Sequence, residues 1–291
     1  MLNYDQPPPR RSLLPAHWFC AAESFAREGE ALANRLPWHY AGLAGDTATD
    51  GAEVEACGGF LFRRQRADAP PLADWLGPFA ARLELMSPAL SAPVGADAVE
   101  FAANWKILVE NTLDDFHGST VHPQTIHPAV DADWRQHLHT ERHGPHSHSS
   151  WKLSAATAQW WEKLVARGGL ARFATQDRYD HTFIFPDLYV ASFHGAMVMV
   201  HRVVPLAVDR TRLEWRTFLP SHNPGDRKRD AFRRSLAGQL ALSARQVIEE
   251  DRPLCEMVQA GRAGATGPGM LGWREQRIGD VHDALATLLD I

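Results

Sequence analysis

Cysteine is scarce in this chain, at three in 291 residues, and Cys20, Cys57 and Cys255 are too few and too scattered for a disulfide framework. They read as reduced thiols. Long apolar runs are missing as well. No stretch approaches the roughly 20 residues needed to span a bilayer, and the polar, proline-rich residues 1–11 contain no signal-peptide core. These absences argue against a membrane protein and for a cytoplasmic location. Basic blocks are also lacking. Thirty Lys and Arg against 35 Asp and Glu give a formal charge of -5 with no phosphate-binding stripe, which argues against a nucleic-acid partner. There is no internal repeat and no low-complexity segment.

What remains is ordinary globular material, 45% hydrophobic and long enough to bury a sizeable core. Residues 1–92 look composite: an amphipathic stretch at 21–36, a Gly- and Asp-rich turn region at 42–51 and a short apolar strand at 58–63. This is thin material for an independent domain. From Val99 the pattern is richer, with a strand, a helix expected over 104–117 and a Trp-rich helix over 155–166. Alternating strands follow at 180–185, 188–193, 197–204 and 211–219, separated by turn signals such as Phe185-Pro186-Asp187. They predict an antiparallel sheet. A long helix over 226–260 and a last one over 280–289 complete an α+β class.

The chemistry concentrates in Asn104-Trp105-Lys106, Glu110-Asn111 and then Asp114-x2-His117-x4-His122-Pro123. On a helix Glu110, Asp114 and His117 share a face. Gly118 is placed to end that helix in a left-handed cap, and Pro123 biases His122 to an extended conformation, so the chain turns sharply between the two histidines. Two imidazoles and one carboxylate make a facial triad for a divalent first-row metal. A candidate third ligand lies in the long helix, where Asp251 interrupts the apolar row Leu240, Ala244, Val247, Leu254, Val258. An uncompensated polar group there costs about 2 to 7 kcal/mol. Pro253 is expected to kink this helix and free the carbonyl of Glu249. Ordinary readings stay open: two core histidines with routine hydrogen bonds, and an Asp251 paired with Arg245 or Arg262.

Taken together, Asn-Trp-Lys, Glu-Asn and Asp-x2-His-x4-His-Pro resemble the iron-binding motif of the α subunits of Rieske non-heme iron oxygenases. Glu250-Asp251-Arg252-Pro253-Leu254-Cys255-Glu256 with Gln259 and Gly261 is similar to that family's C-terminal helix, especially in the choline, glycine betaine and carnitine oxygenase branch. The resemblance implies a helix-grip (START/Bet v 1-like) catalytic domain over 93–291. It implies that His117, His122 and Asp251 hold Fe(II), and that Asp114 is the carboxylate linking the iron to an adjacent Rieske cluster. Substrate and O2 would meet at that iron, in hydroxylation or oxidative demethylation of a small organic molecule, within a homo- or hetero-trimer.

The departure is as informative. A Rieske [2Fe-2S] centre takes two Cys and two His, normally as Cys-x-His and Cys-x2-His, and none of the three cysteines has a histidine at those positions. The expectation is therefore that 1–92 is a truncated remnant without cluster ligands, most of the Rieske domain being absent between Gly42 and Glu53. Electrons would then come from a Rieske-bearing ferredoxin, a reductase or a complete α subunit. A non-catalytic ligand-binding or scaffolding subunit, and an iron oxygenase that uses its substrate as reductant, are the competing readings. The cluster His137, His139, His143, His146 and His148 reads as a solvated loop or edge hairpin. Phe183, Phe185, Tyr189, Phe193, Trp215 and Phe218 read mainly as core, with some expected to line the substrate cavity as a cage for a cationic group.

Overall fold

The computed structural model describes residues 10–11, 14–46, 53–174, 177–220, 225–265, 269–272 and 274–291. The start of the chain read above, residues 1–9, and residues 47–52, where the domain deletion was expected, lie outside them.

Seven antiparallel strands form the central sheet in the spatial order Gly95–Phe101, Arg210–Phe218, Met197–Ala207, Leu188–Phe193, Arg178–Ile184, His146–Lys152, His139–His143. The four predicted strands are present within three residues of their expected ends. Side chains alternate between the faces, as strand geometry requires. Val198 and Val200 join Ile184, Leu188, Val190 and Phe218 against one layer, while Phe183, Tyr189, Leu213 and Trp215 pack into the other. Both faces are covered, so the strand Leu188–Phe193 is buried along almost its whole length.

The first layer is a three-stranded sheet, Trp38–Leu43, Phe60–Arg64 and Val54–Cys57, with the helices Leu72–Leu76 and Phe79–Met86. Its aromatic residues Trp38, Phe60 and Phe62 share one core with the central sheet. The second layer is helical: Trp105–Leu113, Ala155–Gly168, Arg227–Ala263 and Gln276–Leu289. The helix Ala22–Asn34 joins this layer through a buried ion pair, Lys106 Nζ to Glu28 at 2.6 Å, reinforced by Trp105 Nε1 donating to Glu28 at 2.9 Å. The N-terminal region thus shares both cores with the rest of the chain.

Several local expectations are corrected. The helix of the motif stops at Leu113, because Asp114 adopts an extended conformation and its carboxylate accepts from the Phe116 amide at 2.8 Å. Asp114 and His117 therefore do not continue the face of Glu110, which turns instead to His282 and Arg262. Gly118 starts the short helix Gly118–Val121 and makes no left-handed cap, and His122 is not extended, with φ -114° and ψ 51°. The helix Arg227–Ala263 is continuous through Pro253. Its buried row is Leu240, Ala244, Ile248 and Cys255, one residue round from the row expected at Val247 and Leu254.

Candidate metal centre

The turn after Leu113 places His117 so that its Nδ1 meets the Asp114 carbonyl at 2.7 Å. A carbonyl only accepts, so Nδ1 carries the ring proton and Nε2 presents a lone pair. At His122, Nδ1 meets Glu250 Oε2 at 2.8 Å, which again leaves Nε2 bare. Both bare nitrogens face Asp251 Oδ1, at 3.5 Å from His117 and 3.1 Å from His122. The ring centroids are 5.1 Å apart.

Three ligand atoms thus converge, and in the metal-free chain a hydrogen between them is a further proton taken up on an imidazole Nε2. Asp251 Oδ1 is buried and has no hydrogen-bond partner among the described residues. The ligand atoms of His117, His122 and Asp251 lie within 4.8 Å of one another, and no other such trio occurs among the described residues. This donor set, two imidazole nitrogens and a carboxylate oxygen around a shared point, fits a divalent first-row ion. Outer partners hold each imidazole in the tautomer and orientation a metal needs.

Electrostatics agree with the geometry. Burial alone would raise the Asp251 pKa, but the imidazoles of His117 and His122 outweigh it and bring the carboxyl down to about 2. Burial alone would lower the His122 pKa, yet the carboxylates of Asp251 and Glu250 raise it. The routine ion pairs considered for Asp251 are taken elsewhere: Arg245 pairs with Asp97 and Glu249, and Arg262 with Glu110.

Asp114 borders the centre, its Oδ2 lying 3.9 Å from His117 Nδ1. Glu250 was not singled out from sequence. It accepts from Thr125 Oγ1 at 2.7 Å and from Gln246 Nε2 at 3.1 Å as well as from His122. The signal was present in the adjacent acids Glu250-Asp251, of which only one can point inward at a given helical angle.

A cavity of about 580 Å³ opens beside the three side chains. Its aromatic lining is Trp151, Trp160, Trp161, Tyr179 and Phe193. Of the six aromatics considered from sequence only Phe193 reaches it; Phe183, Phe185, Tyr189, Trp215 and Phe218 are core. The histidine-rich segment is an edge hairpin, as expected, but it is not uniformly solvated. His139 and His143 are exposed, whereas His146 and His148 are buried in separate environments, one against Trp75 and the Phe185 amide and the other against Thr182 and Asp180. The His137 side chain lies outside the described residues. No helix among the described residues is long and apolar enough to cross a membrane.

Comparison with known proteins gives the same direction. Toluate 1,2-dioxygenase subunit alpha of Pseudomonas putida is 26% identical in a 193-position alignment that covers 53% of this chain and 39% of that one, so the match spans well under half of the relative. A quaternary ammonium Rieske monooxygenase, described for carnitine oxidation by gut microbiota and for inter-subunit electron transfer, aligns with a TM-score of 0.69 at 15% identity, over 97% of this chain and 96% of that one. Naphthalene 1,2-dioxygenase from Rhodococcus sp. aligns at 0.57 and 16% identity, over 81% and 66%. At such identities these two structures speak for the fold, a mixed helical and antiparallel-sheet architecture shared with Rieske oxygenases. The family described as ring hydroxylating alpha subunit (catalytic domain) matches residues 89–291, about two thirds of the chain. The chain belongs to that family, the ring-hydroxylating alpha subunits, through their catalytic domain.

Proposed function

We propose that this chain is the iron-bearing catalytic part of a Rieske-type oxygenase, with His117, His122 and Asp251 holding Fe(II). The convergence of two bare Nε2 atoms and Asp251 Oδ1 carries this reading. When bound, Fe(II) would supply the site at which O2 is activated for attack on a C–H bond. The chain's own residues do the rest. Asp114 O and Glu250 fix the imidazole tautomers. Trp151, Trp160, Trp161, Tyr179 and Phe193, with the apolar Met197, Met199 and Leu240, shield the substrate from water, and Asp114 is the carboxylate through which electrons reach the centre.

Those electrons come from a separate Rieske-bearing protein: a ferredoxin, a reductase or a complete α subunit. What supports this is the sequence, in which no cysteine stands in a Cys-x-His or Cys-x2-His pair. In this reading residues 1–92 are the remnant of the Rieske-domain region and 93–291 the helix-grip domain. The assembly is a trimer in the cytoplasm, and the chain stands nearest the choline, betaine and carnitine branch. A scaffolding role has no need of three facing acceptors.

The test is iron content after anaerobic purification, with turnover followed on adding a Rieske-bearing protein. One iron per chain is expected, lost in both His117→Ala and Asp251→Ala. Iron that survives both substitutions overturns the assignment, and sustained turnover by the isolated chain overturns the need for a partner.

A further inference from the structure

The cavity wall facing the ligands is built by the sheet. His181 stands opposite Ala191 in register, and Ala191 opposite Met199, so the smallest side chain of the row sits beside the imidazole. Behind His181 lies a buried chain of polar groups. Arg277, 2% exposed, donates from Nη2 to His181 Nδ1 at 3.1 Å and from Nε to Ser147 Oγ at 3.0 Å, while its Nη1 lies 3.4 Å from Asp115 Oδ1. Ser149 Oγ donates to the same Asp115 oxygen at 3.0 Å.

A guanidinium has donors and no acceptor. His181 Nδ1 must therefore offer its lone pair, and the ring proton must sit on Nε2. That is the opposite tautomer to the one imposed on His117 and His122. No hydrogen-bond partner occupies His181 Nε2 among the described residues. Burial, together with the charge of Arg277, holds this imidazole neutral, well below its usual pKa. Nearby His201 lines the same cavity with its Nε2 buried and unpartnered among the described residues. No lysine or arginine is among the described residues that line the cavity, and Asp114, Asp115 and Asp251 are.

We propose that His181 is a specificity-determining residue: its Nε2–H is a fixed donor for an uncharged acceptor oxygen on the substrate, a carbonyl or ether. This deepens the reading of the cavity as a substrate site and rests on it. Arg277 is the positioning residue, since it alone decides which ring nitrogen keeps the proton.

Calorimetric titration of the iron-loaded chain with acetophenone and ethylbenzene compares rings of similar size with and without a carbonyl. Acetophenone is expected to bind about tenfold tighter, from one desolvated hydrogen bond. His181→Phe removes that preference and leaves ethylbenzene within about twofold, whereas His181→Gln, which keeps an N–H, retains part of it. Selective 15N labelling of histidine in the zinc-loaded chain reads the tautomer directly, with the His181 proton on Nε2 between about pH 6 and 8. Equal wild-type affinity for acetophenone and ethylbenzene, binding of neither, an unchanged preference in His181→Phe, or a proton on Nδ1 each overturns the proposal. Iron measured in the same samples separates the two readings. Iron-loaded protein without the preference sinks the donor and leaves the metal centre standing, while a chain that takes no iron sinks the metal centre.

Discussion

Two carboxylates in this molecule, Glu28 buried and Asp251 half-buried, sit against basic groups, and they do opposite things. Glu28 faces donors: the Lys106 ammonium at 2.6 Å and the Trp105 indole at 2.9 Å. Asp251 faces the Nε2 atoms of His117 and His122, whose Nδ1–H groups donate to the Asp114 carbonyl and to Glu250. In the first cluster Trp105 and Lys106 both donate to Glu28 Oε2, with Oε1 held only by the charge of the ammonium 2.6 Å away, and the cluster joins the helix Ala22–Asn34 to the helix Trp105–Leu113. The second is open: a proton on an imidazole Nε2, or a metal cation in its place, satisfies it. Burial and proximity are shared by both; the direction in which the hydrogens point separates a structural ion pair from a ligand set.

The largest effect expected from this contrast is on metal binding. Asp251→Ala should weaken iron affinity by more than about a hundredfold, beyond the 10- to 100-fold typical of outer partners, as read by chelator competition. Lys106→Met should leave iron in place. If Lys106→Met loses metal as readily as Asp251→Ala, the contrast fails.

Stability should reverse the order. Lys106→Met strands a buried Glu28 and is expected to cost about 3 to 5 kcal/mol in denaturant unfolding. Burial dominates both partners, pushing the Glu28 pKa up and the Lys106 pKa down, which marks a pair that is expensive to desolvate. The double replacement Glu28→Leu with Lys106→Met should therefore recover most of the loss. A double mutant no more stable than Lys106→Met would show that the pair does more than balance its own charges.

Glu250→Gln should have a smaller effect, weakening iron binding about 10-fold through a loosened His122. Its pH signature is specific. In the metal-free chain Asp251 and Glu250 raise the His122 pKa against the opposing effect of burial, and an incoming cation must displace that proton. Affinity should fall with acidification and keep climbing until pH passes the raised His122 value. Glu250→Gln should move this midpoint down. The linked stability of the metal-free fold has the matching sign: the His122 contribution is full below its ordinary value and lost as pH rises through the raised one. The Asp251 contribution is present above the ordinary carboxylate range and lost as pH falls through about 2. A midpoint unmoved by Glu250→Gln would remove Glu250 from the centre. The smallest effect belongs to Arg245→Ala, which breaks exposed pairs with Asp97 and Glu249 and should cost under about 1 kcal/mol without touching iron.

By itself the sequence determined the class of fold and the identity of the converging residues. Period-2 runs from Arg178 to Phe218 and the helical period of the long helix are local signals, readable because the backbone repeats every two or 3.6 residues, although the buried row of that helix lies one residue round from the row expected at Val247 and Leu254. His117, His122 and Asp251 were named from residue type, spacing and resemblance, and the fold brings them to one point. Local context did not decide where the motif helix ends, since the Asp114 turn competes with one more helical hydrogen bond and wins by capping the Phe116 amide. The His117 tautomer is set locally, by the Asp114 carbonyl three residues away, but the other proton positions were decided by tertiary structure. Glu250 against His122, Arg277 against His181 and Glu28 against Lys106 join residues 128, 96 and 78 positions apart. No periodicity carries such information, because a hydrogen bond depends on side-chain direction at short range, which is set only when distant elements pack.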